Sequence, residues 1–481
     1  MHQSAPAHRP RVLHLAQPVD GGVARVVLDL ARAQLAAGLR VTAACPGGPL
    51  AAGLRELGAD VREWRAGRSP GPGLPGEVRR LARLIEEVRP ELVHAHSAKA
   101  GLAARLAVRG RVPTVYQPHA WSFEAVGGLT AALALRWERW GARWADRVLC
   151  VSEAERTTGL RAGVRAAYTV VPNGIDTTRF TPAPPTGTAP PTHPPAPPTA
   201  RATPSNRPAH PTATATPSHR PAHPTATAAP SPAPRAADGE RPPPEPLAPG
   251  DGSRPAGPRA HDTCAEGGSG SQNGNGSESA GRRPLVVCVG RLCRQKGQDV
   301  LLAAWEDILG ELPHAELVLV GDGPDHASLR HRAHPSVRFA GAVPDAVSWY
   351  RAADLVVLPS RWEGMALAPL EALACGTPVV LTDVDGARES LPPALAAHCL
   401  VPPEDPAALA GAVTALLTDP PLRAALADQG RRHVLATHDV RHTADRIAAL
   451  YRELLGPTSP CAANGEPARP VPSECRESIH S

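Results

Sequence analysis

The feature that most constrains this fold is a long segment with almost no side chain able to form a core. Of the Val, Ile, Leu, Met, Phe, Trp, Tyr and Cys types, residues 181–284 contain only Leu247 and Cys264. Such a segment buries too little apolar surface to offset the conformational entropy lost on folding. We therefore predict an N-terminal domain (1–180), a disordered linker rich in Pro, Thr and Ala (181–284), a C-terminal domain (285–455) and a disordered tail (456–481).

Composition excludes several classes of protein. No apolar run is long enough to cross a bilayer as a helix. The nine cysteines are odd in number and lack Cys-x-x-Cys spacing, which predicts neither a disulfide framework nor a zinc site. A net charge of +5 over 481 residues is too weak to indicate a nucleic-acid partner. The polar start of the chain does not resemble a signal peptide, so we expect a cytoplasmic protein.

Both predicted domains alternate strand-like and helix-like segments. The predicted strands are 11–16, 41–45, 92–96, 114–116, 147–152 and 169–171 in the first domain, and 285–289, 317–320, 337–339, 355–358 and 379–381 in the second. The predicted helices include 23–37, 77–88, 98–108, 299–309, 368–374 and 443–455. This alternation predicts an α/β fold with two doubly wound, Rossmann-like domains that face a cleft. Ligands are expected beyond the carboxyl ends of the strands.

Only two of the 51 basic residues are lysines, Lys99 and Lys296. A lysine retained in such an arginine-rich chain is a candidate for a role that needs a compact ammonium group. Lys99 lies near the start of a predicted helix, next to His94 and His96, so we consider contact with an anionic acceptor. The two histidines could also ligate a metal, but the sequence shows no third ligand, and packing is an equal alternative.

Two carboxylates, Glu363 and Glu371, follow the predicted strand 355–358. Glu363 falls in the loop after the strand, and Glu371 falls in the first turns of the next helix. The backbone amides of residues 364–367 precede that helix and could donate to ligand hydroxyl groups or oxyanions. The alternative interpretation is a solvated loop glutamate and a glutamate that compensates the helix dipole.

A second polar group follows the strand 285–289. Arg291 and Lys296 could bind a diphosphate together, one as a planar fork and the other as a point charge. Gly290 and Gly297 would allow the backbone to approach a ligand closely. Alone, this segment could be a solvated basic turn. Because both polar groups leave one sheet at the same edge, the pattern favours a binding site.

These residues carry a resemblance to a known family. In the second domain the motifs are Gly290-Arg291, Lys296-Gly297, Leu319-Val-Gly-Asp-Gly-Pro324, Pro359-Ser360, Glu363-Gly364, Glu371-Ala372 and Gly376-Thr-Pro378. In the first domain they are Gly21-Gly22, His94-Ala-His96, Gln-Pro-His119-Ala, Val151-Ser152-Glu153 and Pro172-Asn173-Gly174. Together they resemble the retaining glycosyltransferases of family 4, which have the GT-B fold. The resemblance covers 11–455 except the linker.

The resemblance implies positions for the sugar of a nucleotide-diphosphate sugar. Glu363 would contact the sugar hydroxyl groups near the reacting centre, and His119 would lie beside the reacting sugar. These two are the implied catalytic residues. The backbone amide donors to the sugar or phosphate would be Gly364, Met365, Ala366 and Leu367.

The resemblance also implies positions for the nucleotide. Glu371 would hydrogen-bond the ribose, and backbone near Val343 would meet the base. Arg291 and Lys296 would neutralise the diphosphate as charge develops on it. Gly22 would let the first loop of the N-terminal domain approach the diphosphate across the cleft.

The implied function is transfer of a sugar from a nucleotide-diphosphate sugar to an acceptor, with retention of configuration. The acceptor is open: a glycolipid, an exopolysaccharide precursor or a small metabolite would all suit. No metal or other cofactor is expected, although Asp383-Val-Asp385 matches a metal motif of another transferase fold, GT-A. A nicotinamide cofactor is not expected after Gly321-Asp-Gly323, because position 326 is His. The alternatives are a nucleotide-sugar 2-epimerase and a non-catalytic nucleotide-sugar-binding scaffold.

One segment raises the question of a membrane. Trp137, Trp140 and Trp144 recur at helical spacing beside a stripe of arginines, namely Arg136, Arg139, Arg143 and Arg147. A basic helix that carries tryptophan can lie on an anionic bilayer. The alternative, which the sequence favours, packs the tryptophans against the sheet. With a lipid-linked acceptor, the protein would work as a peripheral protein at the inner face of the membrane.

Overall fold

The computed structural model describes residues 9–67, 70–184 and 283–456. Most of the predicted linker (181–284) and nearly all of the predicted tail (456–481) lie outside the described residues, so their disorder stays a prediction. The described chain contains two parallel β-sheets, each covered by helices. The α/β class and the two doubly wound domains are therefore confirmed.

The first sheet is built from seven parallel strands. They are β1 (Arg11–Ala16), β2 (Arg40–Cys45), β3 (Asp60–Glu63), β4 (Leu92–His96), β5 (Thr114–Gln117), β6 (Arg147–Cys150) and β7 (Tyr168–Val170). The helices among them are α1 (Gly21–Ala36), α2 (Pro49–Glu56), α3 (Leu74–Val88), α4 (Ser97–Val108), α5 (Gly128–Gly141) and α6 (Glu153–Arg161). The strand order is β3-β2-β1-β4-β5-β6-β7.

The second sheet is built from six parallel strands. They are β8 (Leu285–Val289), β9 (Glu316–Val320), β10 (Val337–Gly341), β11 (Leu355–Leu358), β12 (Val379–Thr382) and β13 (Leu400–Val401). The helices are α7 (Gln298–Glu311), α8 (His326–Arg332), α9 (Val347–Ala352), α10 (Leu367–Ala374), α11 (Ala396–Cys399), α12 (Pro406–Thr418), α13 (Pro420–Thr437) and α14 (Val440–Leu455). The strand order is β10-β9-β8-β11-β12-β13.

Local sequence explains most of these elements. The central strands β8 and β11 are unbroken runs of Leu, Val and Cys, because helices cover both faces of a parallel sheet. Helix α6 begins at a serine cap, where the Ser152 hydroxyl accepts from the Glu155 amide (3.0 Å). Helix α10 ends just before Gly376, whose φ of +80° suits a residue without a Cβ atom.

Each sheet has one point at which the strand order reverses. In the first sheet it lies between β1 and β4, and in the second between β8 and β11. In doubly wound folds, ligands bind beyond the carboxyl ends of the strands at such a point. Ligand-binding residues are therefore expected in the loops that follow these four strands.

The last helix returns from the second sheet to the first. Helix α14 packs against α1, and its Glu453 forms an ion pair with Arg147 (2.5 Å). The Arg446 guanidinium donates to the Val170 carbonyl oxygen (2.6 Å). Helix α14 therefore links the C-terminal domain to the N-terminal domain through polar contacts as well as packing.

The structure corrects the predicted elements mainly at the sheet edges. Strand β3 was not predicted because its sequence, Asp-Val-Arg-Glu, is mostly polar and its residues are mostly exposed. Helix α5 begins earlier than the tryptophan spacing suggested and ends at Gly141. The six cysteines of the described ranges are buried and free. No helix in these ranges is long and apolar enough to span a bilayer.

Candidate active site

Two loops at the reversal point of the second sheet are bonded to each other. One runs from β8 to α7, and the other runs from β11 to α10. The Arg361 amide donates to the Gln295 carbonyl oxygen (2.8 Å), and the Gln295 side chain donates to the Trp362 carbonyl oxygen (3.1 Å). Arg361 also forms a bidentate ion pair with Asp299, at 2.8 Å for both contacts, and holds the Asp299 pKa below its ordinary value. We call these two loops the platform.

The close approach of the two platform loops depends on Gly297. Its φ is +64°, and a Cβ atom at this position would lie 1.9 Å from the Pro359 carbonyl oxygen. Only glycine fits this gap without a backbone shift. Gly297 follows the 3-10 turn Arg294–Lys296, so Lys296 is placed beside the second loop.

Lys296 and Glu363 form an ion pair across the platform. They lie 67 positions apart in sequence, so neither local pattern predicted this contact. The Lys296 side chain is 21 % exposed, and its aliphatic part lies over Gly290. An anionic ligand could take the ammonium group as its own partner, and the carboxylate would then be available to accept from ligand hydroxyl groups.

Arg291 is half-buried in the same platform. Its carbonyl oxygen accepts from the Gln298 side chain (3.0 Å), which holds the backbone in place. Within the described ranges its guanidinium group forms no ion pair and no hydrogen bond. In the platform, Lys296 and Arg361 are therefore paired with carboxylates, whereas Arg291 has no carboxylate partner among the described residues.

Two helix N-termini without side-chain caps converge next to the platform. Helix α10 begins at Leu367, and no described residue accepts from the amides of Gly364, Met365, Ala366 and Leu367. Helix α1 of the first domain also lacks a side-chain cap, and a Cβ atom on its Gly22 would lie 3.9 Å from Leu367. The positive ends of two helix dipoles, together with amides that have no described acceptor, favour an anion at this place.

Glu371 and Val343 occupy different parts of the second domain. The Tyr350 hydroxyl donates to the Glu371 carboxylate (2.7 Å), and burial of the carboxyl group raises the Glu371 pKa. Val343 lies in the loop after β10 and is partly buried against the core. The ribose role of Glu371 and the base role of Val343 stay predictions.

His119 is brought to the second platform loop from the first domain. It follows β5 with a left-handed backbone (φ +60°), and the next residue, Ala120, has φ +129°. A Cβ atom on Gly364 would lie 2.9 Å from the His119 carbonyl carbon. Burial lowers the His119 pKa to about 3, so the imidazole is neutral at pH 7. The structure thus places His119 next to the loop that carries Glu363.

The ring of His119 ends a chain of hydrogen-bonded side chains. The contacts run from Gln34 to His14 (2.7 Å), from His14 to His96 (3.0 Å) and from His96 to His119 (3.3 Å). Tyr451 of α14 closes the network through contacts with His94 (2.6 Å) and Gln34 (3.4 Å). Burial lowers the pKa of His14 to about 4 and those of His94 and His96 well below their ordinary value.

The structure adds a third histidine, His14, to the pair His94 and His96 that the sequence indicated. It is opposite His94 in the register of β1 and β4, and one ring nitrogen of each of His14, His94 and His96 lies within 4.8 Å of the others. A metal would need a lone pair from all three. The hydrogen bond between His14 and His96 engages two facing nitrogens, so we interpret the cluster as a network of neutral imidazoles.

Lys99 does not lie where an acceptor could reach it. Its side chain is 4 % exposed, and its ammonium group pairs with Glu77 of α3 (2.6 Å). Burial alone would raise the Glu77 pKa, but hydrogen bonds from Lys99 and the Gly67 amide outweigh it, and the pKa is lowered. This geometry argues against the acceptor contact expected from the sequence, because the charge of Lys99 is already neutralised inside the domain.

Two polar residues of the first domain hold the loop that carries Glu363. The Ser152 hydroxyl donates to the Gly364 carbonyl oxygen (2.9 Å), and the Asn173 side chain donates to the Met365 carbonyl oxygen (2.8 Å). The sequence indicated both residues only as parts of a resemblance, without a role. Their position after strands β6 and β7, at the carboxyl edge of the first sheet, is the sequence signal that could have indicated a role for them.

The two motifs that suggested other cofactors have structural partners. Asp383 pairs with Arg388, and Asp385 accepts from the Thr158 hydroxyl (2.6 Å), so the two carboxylates serve separate contacts. A Cβ atom on Gly321 would lie 2.0 Å from the Gly290 carbonyl oxygen. Gly321 therefore lets the loop after β9 pack against the platform, which explains the glycine without a dinucleotide.

Two Rossmann-like domains, with the platform on one and His119 of the other beside it, are the arrangement of the GT-B fold of glycosyltransferases. Family models agree: "Glycosyltransferase Family 4" matches residues 20–179, and "Glycosyl transferases group 1" matches residues 283–419. Together the two models cover more than half of the chain. The chain belongs to glycosyltransferase family 4.

Curated relatives share part of the sequence. The lipopolysaccharide core biosynthesis mannosyltransferase LpcC of Rhizobium leguminosarum bv. viciae is 36 % identical over 186 residues, 36 % of this chain and 52 % of that protein. A GDP-mannose-dependent monoacylated alpha-(1-6)-phosphatidylinositol monomannoside mannosyltransferase of Corynebacterium glutamicum is 35 % identical over 181 residues, 35 % of this chain and 47 % of that protein. The chain spans about half the length of these relatives.

Solved structures share the fold. The crystal structure of Anabaena Alr3699/HepE in complex with UDP and glucose has a TM-score of 0.64 and 19 % identity, covering 92 % of this chain and 100 % of that one. The sucrose-phosphate synthase of Thermosynechococcus elongatus has a TM-score of 0.62 and 20 % identity, covering 93 % and 99 %. At this identity the likeness shows the GT-B fold alone.

Proposed function

We propose that this protein is a retaining glycosyltransferase that transfers a sugar from a nucleotide-diphosphate sugar to a glycan or lipid-linked acceptor. The observation that carries the proposal is the ion pair of Lys296 and Glu363 beside the amides of residues 364–367, from which no described residue accepts. A diphosphate needs cations and amide donors, and a sugar needs a carboxylate that accepts from its hydroxyl groups. All three kinds of group adjoin one another here.

The diphosphate is the leaving group in this proposal. Arg291 and Lys296 would bind its oxygens, and the N-termini of α1 and α10 would add amide donors from both domains. Negative charge grows on the diphosphate as its bond to the sugar breaks, so these groups stabilise the transition state more than the ground state. We propose that this arrangement replaces a metal ion, and that transfer needs none.

Retention requires the acceptor oxygen to bond on the face from which the diphosphate leaves. Glu363 is paired with Lys296, and Glu371 accepts from Tyr350. This pair of carboxylates does not resemble the free nucleophile and separate acid of a mechanism with a covalent intermediate. This supports a front-face route. The acceptor oxygen bonds to the anomeric carbon, the bond from that carbon to the diphosphate oxygen breaks, and the acceptor proton passes to the diphosphate.

The relatives suggest which donors to try first. One is named as GDP-mannose-dependent, and a structure of similar fold holds UDP and glucose. A thermal-shift panel with UDP, GDP, ADP and dTDP, with and without EDTA, tests the nucleotide directly. A ligand at a hundred times its dissociation constant stabilises the native state by about 2.7 kcal/mol. We expect one diphosphate to raise Tm, with no effect of EDTA.

Turnover then separates the proposal from its alternatives. The matching nucleotide sugar is incubated with and without candidate glycan and lipid acceptors. Release of the diphosphate measures its hydrolysis or transfer. We expect Glu363→Gln to remove turnover and Glu453→Gln, a surface ion-pair control, to leave it intact. Interconversion of the donor without acceptor would indicate a 2-epimerase, and binding without turnover would indicate a scaffold.

A further inference from the structure

The exposed hydrophobic residues of this protein are concentrated on one short segment. In the described ranges, the large hydrophobic side chains with substantial exposure are Val126, Leu129, Leu133, Trp140 and Leu160. Four of these five lie between positions 126 and 140. Leu129 is 78 % exposed and Leu133 is 60 % exposed. Single exposed leucines need no explanation, but a cluster of them indicates an interaction surface.

These side chains share one face of α5. Leu129, Leu133, Arg136, Trp140 and Arg143 follow one another at spacings of four, three, four and three, which places them in a line along one helix face. Arg143 lies in the short turn after the helix, and its guanidinium group stacks on the Trp140 ring, 4.9 Å from the centroid. We call this line the α5 face.

The opposite side of α5 is fixed to the domain, so the helix cannot simply turn its leucines inward. Glu138 is fully buried and pairs with Arg105 (2.8 Å). It also accepts hydrogen bonds from the Tyr116 hydroxyl (3.1 Å) and the Ser122 hydroxyl (2.8 Å). Trp137 points the same way, with Arg105 near its ring. The tryptophans therefore divide: Trp137 packs inward, and Trp140 is 42 % exposed.

The exposed charges of α5 and the turn after it are all positive. Arg136, Arg139 and Arg143 are exposed, and the only acidic residue between 128 and 144 is Glu138, which Arg105 neutralises in the interior. A second copy of this chain fits the surface poorly. A two-fold contact would oppose three arginines with the same three arginines and offer no carboxylate to either set.

We propose that the α5 face is a docking surface for an anionic lipid bilayer. Leu129 and Leu133 enter the boundary between headgroups and acyl chains, and Trp140 lies at headgroup level with one polar edge. Arg136 and Arg143 bury their aliphatic stems and direct their guanidinium groups to lipid phosphates. The surface holds the glycosyltransferase on the membrane; the binding itself does not depend on the donor chemistry proposed above.

The test is co-sedimentation of the full chain with two kinds of vesicle. One is pure phosphatidylcholine, and the other is an equal mixture of phosphatidylcholine and phosphatidylglycerol. We expect binding to the mixed vesicles, weakened by salt, and little binding to the neutral ones. Leu129→Ser with Leu133→Ser should lower partitioning about a hundredfold or more, about tenfold or more per leucine. Each arginine changed to glutamine should lower it about fivefold.

A control variant with the same change in net charge tests whether the position of the arginines, rather than their number, determines binding to the vesicles. The triple variant Arg136→Gln, Arg139→Gln, Arg143→Gln is compared with Arg62→Gln, Arg65→Gln, Arg432→Gln, three exposed arginines far from α5 in sequence. The first triple should lose the preference for anionic vesicles, and the second should keep it. Equal loss in both triples would overturn the proposal, as would unchanged partitioning of the double leucine variant.

Two further measurements keep the outcomes distinct. Light scattering over a range of concentrations detects self-association, and loss of a dimer in the leucine variant would assign the α5 face to a second copy of the chain instead. The Tm shift with a nucleoside diphosphate should be the same in all variants. If vesicle binding fails while that shift persists, the membrane inference fails and the proposed transferase function stands.

Discussion

The two lysines of this chain each bind a glutamate, and the surroundings of the two pairs differ. Lys99 and Glu77 are enclosed in the N-terminal domain, where the Gly67 amide donates to the same carboxylate (3.0 Å). Lys296 and Glu363 lie on the platform, where the lysine side chain is 21 % exposed, the carboxylate is buried and the neighbouring amides have no described acceptor. One pair is part of a core, and the other is part of a candidate binding site. The rarity of lysine marks both positions, but the exposure of the lysine side chain distinguishes them.

The largest effect should come from breaking the enclosed pair. Lys99→Met leaves Glu77 charged and without its cation inside the domain, and loss of one partner of a buried pair costs about 3–5 kcal/mol. Lys296→Met should cost less than Lys99→Met, because Lys296 is 21 % exposed and water can replace its ammonium group beside the Glu363 carboxylate. Urea unfolding followed by circular dichroism measures both.

A double variant provides the control for this comparison. Lys99→Met combined with Glu77→Gln removes both charges and should recover part of the lost free energy of unfolding, because no uncompensated charge remains. If Lys99→Met is no less stable than Lys296→Met, the distinction drawn from burial is wrong.

The next effect concerns pH and the buried histidine network. His14 has a pKa of about 4 in the folded chain and about 6.5 when unfolded. Below pH 6.5 the unfolded chain therefore takes up a proton that the folded chain does not, and stability falls as the pH falls toward 4. The full difference for His14 alone is about 3 kcal/mol. At pH 7 and above, this contribution to the pH dependence is absent.

His14→Gln isolates that contribution. Burial raises the pKa of Glu155 to about 8 and that of Glu124 to about 7, so these carboxyl groups act in the opposite direction as the pH falls. They are present in both proteins and cancel in the comparison. Midpoints of urea unfolding at pH 7, 6, 5 and 4 should fall more steeply in the native chain than in the variant. Parallel curves would show that His14 is not held neutral.

On the platform, substitution should change binding rather than stability. Lys296→Met and Arg291→Gln each remove a charge-assisted hydrogen bond to the proposed diphosphate, worth about 1.5–3 kcal/mol, or about 10–100-fold in dissociation constant. Lys296→Met should be the weaker binder of the two, because it also leaves the Glu363 carboxylate facing the anion. Isothermal titration with the diphosphate found in the panel measures both, with Arg432→Gln as the control. Native affinity in both variants would remove the diphosphate role.

The fold was predictable where strands are buried on both faces. Strands β8 and β11 occupy the predicted positions because near-continuous runs of Val and Leu allow little else in a sheet covered by helices. Strand β13, of two residues, gives no periodic signal. Helix α14 starts before its predicted beginning, since the Asp439 side chain caps it at Val440. Short edges and caps depend on tertiary contacts that local pattern does not contain.

The site was predictable as two groups at one sheet edge, but its pairings were not. Sequence placed Lys296 and Glu363 at neighbouring strand ends, and the structure confirms that they adjoin. The sequence could not show that Lys99 is neutralised by a glutamate from another helix. Nor could it show that His14 joins His94, because strand register brings together positions 80 residues apart. Contacts between distant segments follow from topology, which the residue types alone do not encode.

The smallest expected effect concerns a difference in backbone conformation between the ligand-side loops of the two domains. In the platform, the residue with positive φ is a glycine, Gly297. In the N-terminal loop the residues with positive φ are His119 and Ala120, and Ala120 has φ +129°, a conformation that L side chains rarely adopt. The strain in the first domain is therefore carried by residues with a Cβ atom.

Ala120→Gly should relieve this strain. The strain of a residue held in such a region costs about 1–3 kcal/mol of stability. Glycine removes this strain, but it increases the entropy of the unfolded chain, which lowers stability by about 0.4–1 kcal/mol. The net expectation is a gain of about 1 kcal/mol in the free energy of unfolding, measured by urea titration. Gly297→Ala is the opposing control and should destabilise, because its methyl group would meet the Pro359 carbonyl oxygen. If Ala120→Gly loses stability instead, the methyl group must contribute packing that outweighs the strain, and the two loops would then differ in packing rather than in backbone conformation.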